Sequence, residues 1–242
     1  MKKRILSSEA IAREGNLDYT LNMDSPNYLN RLPASHAMRG CSSDGEIEIL
    51  DIAGEDSDLG IVFEDDRLVF VRDAVRFPNG ATGTYLRLFH QGELMGGRGA
   101  VMVPIWNRQV VFVRIFRHAT RSWEWELPRG FHEPGLTDEG NARKEILEEL
   151  GVPALRCDFL ADIHPDTGIL ASTVAVYEVE LASNPENASP EIGTEAIQRS
   201  RCIRFSELRE FTFTAPVRCS YSLAALWLWQ SRPEDVGTIA RR

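Results

Sequence analysis

The sequence predicts an α+β protein with mixed β-sheets, and two observations support this class. From residue 61 onward, most segments are short apolar runs separated by polar residues and turn formers, which is the pattern of β-strands. Sustained helical periodicity is confined to a central segment at 137–151 and a closing segment at 219–232, with more strand-like runs between them. Many strands, one central helix, further strands and a last helix favour an α+β arrangement.

The N-terminal part of the chain changes character at about residue 60. Residues 1–60 contain turn formers every few positions and no sustained period, so we expect a loop-rich extension. Strand signals follow, with two β runs within 61–77, a turn at 78–83 and an extended run at 84–90. We therefore expect β-structure to begin immediately after the extension.

The next segment leads by a hairpin and a loop to the central helix. Two apolar runs at 100–105 and 110–116 flank a turn at 107–108, which predicts a β-hairpin. Residues 122–127 alternate large apolar with polar side chains, as expected for a half-buried strand. A stretch with two Pro and two Gly, 127–135, predicts a loop before the helix.

The central helix has both of its end signals in the sequence. Thr137 is a preferred N-cap residue, and Gly151 followed by Pro153 predicts the C-terminal end. Apolar side chains spaced by four predict the side that faces the core: Ala142, Ile146 and Leu150.

The C-terminal part is predicted to add strands and a closing helix. Strands are expected at 172–181 and 196–205, separated by a polar loop at 182–194. A short helix is expected at 206–211, and an amphipathic helix at 219–232 closes the domain.

Composition and charge exclude several classes of protein. A net charge of −9 without Lys/Arg clusters argues against a nucleic-acid-binding protein. No apolar run approaches the roughly 18 residues of a membrane helix, so no membrane association is expected. The four cysteines are scattered without CxxC pairs, as in a protein of the reducing cytoplasm, and no His is spaced for zinc. We therefore expect a cytoplasmic protein.

Three glutamates share one side of the central helix. At about 100° per residue, Glu145, Glu148 and Glu149 fall within an arc of about 100° beside the core-facing stripe. Most Glu-rich helix faces are simply solvated, because like charges repel weakly in water. Three neighbouring carboxylates also form a hard-oxygen site for Mg²⁺ or Mn²⁺ when phosphates complete the coordination. The helix alone leaves both interpretations open.

The sequence upstream of these glutamates decides between the two interpretations. The stretch 125–152 resembles the Nudix box, in which Gly130 fills the first position and Gly151 and Val152 the last. Flanking stretches resemble ADP-ribose pyrophosphatases and related nucleotide-sugar hydrolases. The resemblance implies the Nudix fold, with mixed β-sheets sandwiched between helices (α/β/α) and an N-terminal β-rich extension. It divides the chain into an extension (1–60), an N-terminal β-hairpin region (61–99) and a Nudix catalytic domain (100–242).

The resemblance also implies the metal site. Glu145, Glu148 and Glu149 occupy the positions of the family's glutamates and are expected to bind Mg²⁺ or Mn²⁺ with the backbone carbonyl of Arg129. Glu145 and Glu149 are expected to carry most of the catalysis. Two positions depart from the box: Leu136 stands where the family has Glu, and Lys144 where it has Arg. The resemblance implies that these two side chains pair in the family and help to orient the catalytic glutamate.

Further site residues are implied outside the helix. A glutamate from a later loop serves as general base in the subgroup, which makes Glu195 the first candidate and Glu191 the second, although a solvated loop is an equal alternative for both. Arg117, Glu126 and Gly130 are assigned to substrate binding, with a surface ion pair as the alternative for Arg117. Three aromatic residues are candidates to stack on a base, but core packing is the favoured interpretation: Trp123, Trp125 and Phe131.

The resemblance implies a hydrolase of nucleoside diphosphates linked to a second group X. ADP-ribose or another nucleotide sugar is the expected substrate, and a nucleoside monophosphate and a sugar phosphate are the expected products. A Nudix-fold sensor that binds ligand with little or no turnover is the alternative, and a dinucleotide or isoprenoid diphosphate is a weaker one. The resemblance also makes a homodimer plausible.

Overall fold

The computed structural model of the protein describes Leu32 and residues 46–50, 59–94, 96–190, 196–215 and 217–232. Within this part of the chain, two β-sheets form and helices pack on both faces of the larger one. The predicted Nudix-type α+β architecture is confirmed.

The smaller sheet is built around one strand. Its members are β1 (Glu48–Ile49), β2 (Gly60–Glu64), β3 (Leu68–Arg76) and β4 (Thr82–His90). β4 pairs antiparallel with the whole of β3, while β1 and β2 pair with its two ends. Val69, Val71 and Phe89 are buried in its core. The predicted strands after residue 60 are therefore confirmed, together with the turn, in which Gly80 has φ +82.

The larger sheet carries the central part of the chain. It consists of β5 (Gly99–Trp106), β6 (Gln109–Arg117), β7 (Ser122–Glu126), β8 (Arg129–Gly130), β9 (Ala154–Ile163), β10 (Val174–Leu181) and β11 (Ile197–Arg204). The order is β11-β6-β5-β10-β9, and β10 is parallel to β5 whereas the other neighbours are antiparallel. Sequence analysis had assigned no structure to β9 and a loop to β8.

The hairpin of β5 and β6 opens into a fork. The two strands pair only next to their turn, where Asn107 and Arg108 have φ of 45° and 59°, the left-handed values that two-residue hairpins favour. Farther along, β7 pairs with β6 and β8 pairs with β5. The fork thus brings the loop between β7 and β8 into the middle of the sheet.

Helices cover both faces of the larger sheet. They are α2 (Asp138–Leu150), α3 (Leu208–Thr214) and α4 (Ser220–Ser231), whereas the short α1 (Gln91–Leu94) follows β4. Along β5, Ala100 and Met102 pack towards α2, and Val101 and Val103 pack towards α3 and α4. This alternation follows from the period of two along a strand. The result is the predicted α/β/α sandwich.

None of the helices in the described ranges is long and apolar enough to cross a membrane. The predicted boundaries of the three regions stay predictions, and most of the N-terminal extension lies outside the described residues.

Candidate active site

The helix α2 is fixed at both ends as the sequence predicts. The Thr137 side chain accepts a hydrogen bond from the Gly140 N–H at 3.0 Å, and Gly151 ends the helix with a left-handed φ of 68°. Ile146 and Leu150 are buried against the sheet, which stabilises the docked helix by roughly 1.5–3 kcal/mol for each side chain. This docking fixes the direction in which the glutamates project.

Two of the predicted glutamates meet the short strand β8. The Glu149 side chain is buried, with 5% exposed, and its Oε1 accepts a hydrogen bond from the Arg129 N–H at 3.1 Å. The Glu145 carboxylate lies against the backbone of Gly130, so close that a Cβ at Gly130 would be 2.0 Å from Glu145 Oε1. Gly130 is therefore needed for a close approach of carboxylate and backbone.

The third glutamate is held by a cation of its own helix. Glu148 forms an ion pair with Lys144 at 2.5 Å, and Lys144 also bonds to Glu133 at 2.8 Å. These two carboxylates raise the pKa of Lys144, which stays protonated. Across the described residues, no three His, Cys, Asp or Glu side chains are close enough together to hold a metal ion. The predicted metal-binding roles stay predictions.

The partner of Lys144 lies close to the two positions that depart from the Nudix box. Leu136, at the position of the family's Glu, is 37% exposed. Glu133, three residues earlier, supplies the carboxylate that binds Lys144 instead. An ion pair between the loop and the helix is thus present with a different acidic residue. Sequence analysis missed Glu133 because its distance from Lys144 is set by the path of the loop and not by a helical repeat.

A second link between the loop and the helix comes from Asn141. This side chain is fully buried, donates from Nδ2 to the Phe131 carbonyl at 2.8 Å and accepts from the Glu133 N–H at 3.2 Å. Sequence analysis missed it as well. The sequence offered one sign of this role: an amide side chain stands beside the apolar stripe of α2, inside a helix, where Asn is otherwise unfavourable.

An arginine–glutamate cluster forms the other side of the site. Glu126, 3% exposed, accepts hydrogen bonds from Arg117 Nη2 at 2.9 Å and from Arg129 Nε at 3.3 Å. Burial alone would raise the pKa of Glu126, but the two arginines outweigh it and hold the pKa below its ordinary value. The Arg129 guanidinium also lies over the Tyr221 ring, 4.7 Å from its centroid. The structure thus brings Arg117, Glu126 and Arg129 together.

The three candidate aromatic residues have different environments. Trp125 is buried in the core on the α4 side, which confirms the core interpretation for this residue. Trp123 is 39% exposed and packs edge-on against Phe116. Phe131 is 48% exposed, stacks on His90 at 4.3 Å between centroids, and lines a cavity of about 170 Å³ with it.

Both candidates for the general base lie outside the described residues. Glu191 and Glu195 fall in the stretch 191–195, and Ala196 is the first described residue after it. The Ala196 carbonyl accepts a hydrogen bond from the Phe116 N–H at 3.0 Å. The described chain therefore resumes beside the end of β6, next to Arg117.

Comparison with known proteins supports the observed fold. The crystal structure of an ADP compounds hydrolase superposes with a TM-score of 0.61 and 17% sequence identity, covering 78% of this chain and 95% of that protein. No curated protein matches the chain in sequence. This superposition agrees with the fold that the sequence predicted.

The family model for the NUDIX domain matches residues 96–217, which include the fork of strands, the loop and α2. The protein therefore belongs to the NUDIX domain family.

Proposed function

We propose that the protein hydrolyses the diphosphate bond of a nucleoside diphosphate linked to a group X, with ADP-ribose or another nucleotide sugar as substrate. The products are a nucleoside monophosphate and a phosphorylated X. The observation that carries the proposal is the meeting of Glu145 and Glu149 at Gly130 and Arg129, on a chain with a NUDIX domain. Similarity to the fold of an ADP compounds hydrolase supports an ADP-containing substrate.

The residues present fit a divalent cation such as Mg²⁺ or Mn²⁺. Glu145 and Glu149 offer carboxylate oxygens beside the backbone of β8, where the Arg129 carbonyl is a further candidate ligand. Mg²⁺ in enzymes is commonly held by one or two carboxylates, with substrate phosphates and water completing its octahedron, so a cluster of three carboxylates is not required. A bound cation offsets the diphosphate charge and lowers the pKa of a water. Glu148 pairs with Lys144 and would have to break this ion pair in order to bind the cation.

The protein's own residues orient the substrate around this position. Arg117 and Arg129 are the cations next to the glutamates, and each can donate to a phosphate oxygen while Glu126 keeps its guanidinium in place. Attack by water on one phosphorus breaks the P–O bond to the other phosphate. The leaving phosphate keeps the bridging oxygen, and a carboxylate accepts the proton of the water.

We assign that carboxylate to Glu195, with Glu191 as the second candidate. Support comes from Ala196, which follows Glu195 directly and bonds to Phe116, one residue from Arg117. We further propose that the enzyme acts in the cytoplasm as a homodimer, and a monomeric mass in solution would contradict the dimer.

A hydrolysis assay with a substitution in α2 tests the proposed function. The protein is incubated with ADP-ribose, ADP-glucose, diadenosine diphosphate and isopentenyl diphosphate, with and without Mg²⁺, and released monophosphate is measured. We expect turnover of the nucleotide sugars only with the metal. Glu149→Gln should lower kcat on the order of 10²–10³-fold, because a charge aimed at the reacting centre is removed. Tight binding without turnover would instead establish a sensor.

Glu139→Gln is the matched control for that substitution. Glu139 lies on the same helix, but it is half exposed and pairs with Arg143 on the surface. Its activity should equal that of the unaltered protein. An equal loss in both variants would mean that damage to the helix, and not the loss of a metal-binding carboxylate, explains the effect.

A further inference from the structure

A second carboxylate of β7 is buried without full hydrogen bonding. Glu124 is 5% exposed. Its Oε1 accepts a hydrogen bond from Ser122 Oγ at 2.6 Å, and Arg218 Nη1 lies 3.6 Å from the same oxygen, too far for a hydrogen bond. Its Oε2 is buried and has no hydrogen-bond partner among the described residues. A buried acceptor in this state costs stability, because it has lost water and gained no donor.

Its neighbour on the strand has the opposite environment. Glu126, two residues along β7, has two arginines on its carboxylate, whereas Glu124 has one hydroxyl. Residues two apart on a strand share a face, so both carboxylates point to the same side of the sheet. Glu126 and Glu124 therefore form a row on one face of β7, and Arg117 and Arg129 contact its Glu126 end.

The register of the sheet places this row on the same side of the larger sheet as α2. Glu126 lies opposite Val113, which packs with α2, and Glu124 lies opposite Ile115. Ile115 is also the partner of Ile197, the first residue of β11. Glu124 is therefore on the α2 side of the sheet, at the point where the chain enters β11, and the arginine pair separates it from the helix glutamates.

We propose that Glu124 is a subsite for group X and accepts a hydrogen bond from one of its hydroxyls. The inference rests on the proposed function, in which the phosphates contact Arg117 and Arg129. The next group along such a substrate is X, and a carboxylate oxygen without a donor selects an X that carries one. Arg218 covers the carboxylate from one side, and its side chain is 70% exposed, so it can move aside for the ligand.

If Glu124 has this role, its replacement should affect the stability of the free protein and the catalytic efficiency in opposite directions. Replacing Glu124 by Gln keeps the shape and removes the poorly satisfied charge, so the melting temperature of the free protein should stay equal or rise. The same substitution weakens the bond to the hydroxyl, so kcat/KM for ADP-ribose should fall roughly ten- to hundred-fold. A merely structural Glu124 would give a lower melting temperature and unchanged kinetics after correction for folded protein.

The experiment compares unaltered protein, Glu124→Gln and Glu124→Ala on three substrates. They are ADP-ribose, the methyl ester of ADP, whose X has no hydroxyl, and IDP-ribose, whose base has no amino group. The loss should appear with ADP-ribose and IDP-ribose and be absent with the methyl ester. Equal losses on all three substrates, or none, would overturn the subsite. A loss with ADP-ribose alone would mean that Glu124 contacts the base amine, which also overturns it.

Glu210→Gln is the control, because Glu210 is exposed on α3, away from the cleft. It should match the unaltered protein in every measurement. If the unaltered protein hydrolyses none of the diphosphates, the proposed function fails separately. The subsite is then tested by calorimetry, which measures the binding of ADP-ribose and of the methyl ester to the unaltered and Glu124→Gln proteins. Equal affinity of the two proteins for ADP-ribose would overturn the subsite. The absence of binding would overturn it as well.

Discussion

The acidic residues of α2 and those of β7 lie on the same side of the larger sheet but are held in different ways. On the helix, Glu149 accepts from a backbone N–H and Glu148 pairs with Lys144, four residues away on the same helix. On the strand, Glu126 depends on two arginines from β6 and β8, and one oxygen of Glu124 has no donor among the described residues. The helix carboxylates are thus held by backbone of β8 or by a side chain of their own helix, whereas Glu126 depends on side chains from two other strands.

The difference bears on which side of the site tolerates substitution. The helix is anchored by its caps and apolar stripe, so its carboxylates can be altered without loss of the fold. The strand carboxylates are buried in the sheet, where a removed partner leaves a charge in a poorly solvated place. We therefore expect substitutions at the helix to change activity more than stability, and those around Glu126 to change both.

Among the variants that test this comparison, the largest effect is expected from Gly130→Ala. The added Cβ would lie 2.0 Å from Glu145 Oε1, and the flexible carboxylate is the group that must move. Because the side chain can yield, the melting temperature should change little. A displacement of about 1 Å in a reacting group can cost on the order of 10²-fold in rate, so kcat/KM should fall by that factor. Steady-state hydrolysis of ADP-ribose and thermal unfolding measure the two quantities.

Gly140→Ala adds the same methyl group to the first turn of α2. There it meets only Thr137 Oγ1 at 3.0 Å and Leu136 Cβ at 4.0 Å, and no carboxylate of the site. Activity should therefore be retained. If Gly130→Ala were equally active, the closeness of Glu145 to β8 would have no catalytic importance.

A smaller effect, on stability, is expected from Arg117→Met. Glu126 would keep only the Arg129 contact at 3.3 Å, and the free energy of unfolding should fall by roughly 1.5–3 kcal/mol at about pH 7. The pKa of Glu126 is lowered in the folded protein, so its stabilising contribution is complete above the ordinary value of 4.5 and is lost as the pH falls through the lowered one. The difference between the two proteins should therefore shrink in acid, as measured by urea unfolding across this range.

Arg204→Met removes an arginine from an exposed pair with Glu207 and serves as the comparison. Exposed pairs contribute little to stability because solvent screens them, so this variant should unfold like the unaltered protein. A penalty for Arg117→Met that stays constant down to about pH 3 would mean that lost packing, and not the charge of Glu126, is responsible.

How far the sequence predicts the fold depends on where the signal for each element lies. The caps of α2, the hairpin turn at Asn107 and the alternating strands are encoded in neighbouring residues, and these predictions are confirmed. β9 was missed because it is an edge strand with few buried side chains, so its sequence lacks a clear alternation. β8 was missed because two residues cannot carry a period, and only pairing with β5 defines it.

The site shows the same limit. The arc of glutamates follows from the helical repeat, and Arg117 and Glu126 were identified through the resemblance to the family. The contacts of Glu133, Asn141 and Glu124 could not be predicted, because each depends on the path of a loop or on the register between strands. A sequence therefore predicts the arrangement of residues within one element more readily than contacts between residues that only the fold brings together.

The smallest effect concerns Lys144, where helix and loop meet. A double-mutant cycle of Lys144→Met and Glu133→Gln should give a coupling of about 0.2–1 kcal/mol in the free energy of unfolding, because both side chains are more than a third exposed. In kcat the coupling should be clearer, since the pair ties the loop of Gly130 to the helix that carries Glu145. Urea unfolding and steady-state kinetics of the four proteins supply both values.

The pair of Arg143 and Glu139 is the control for this cycle, because it lies within α2 and does not reach the loop. Its coupling in stability should be similar, but its coupling in kcat should be zero within error. A non-zero coupling in kcat for Lys144 and Glu133 alone would mean that Glu133 does in this chain what the box Glu, replaced here by Leu136, does in the family. Zero coupling in both cycles would instead assign the pair to the solvated surface, and the departures from the box would then have no compensation.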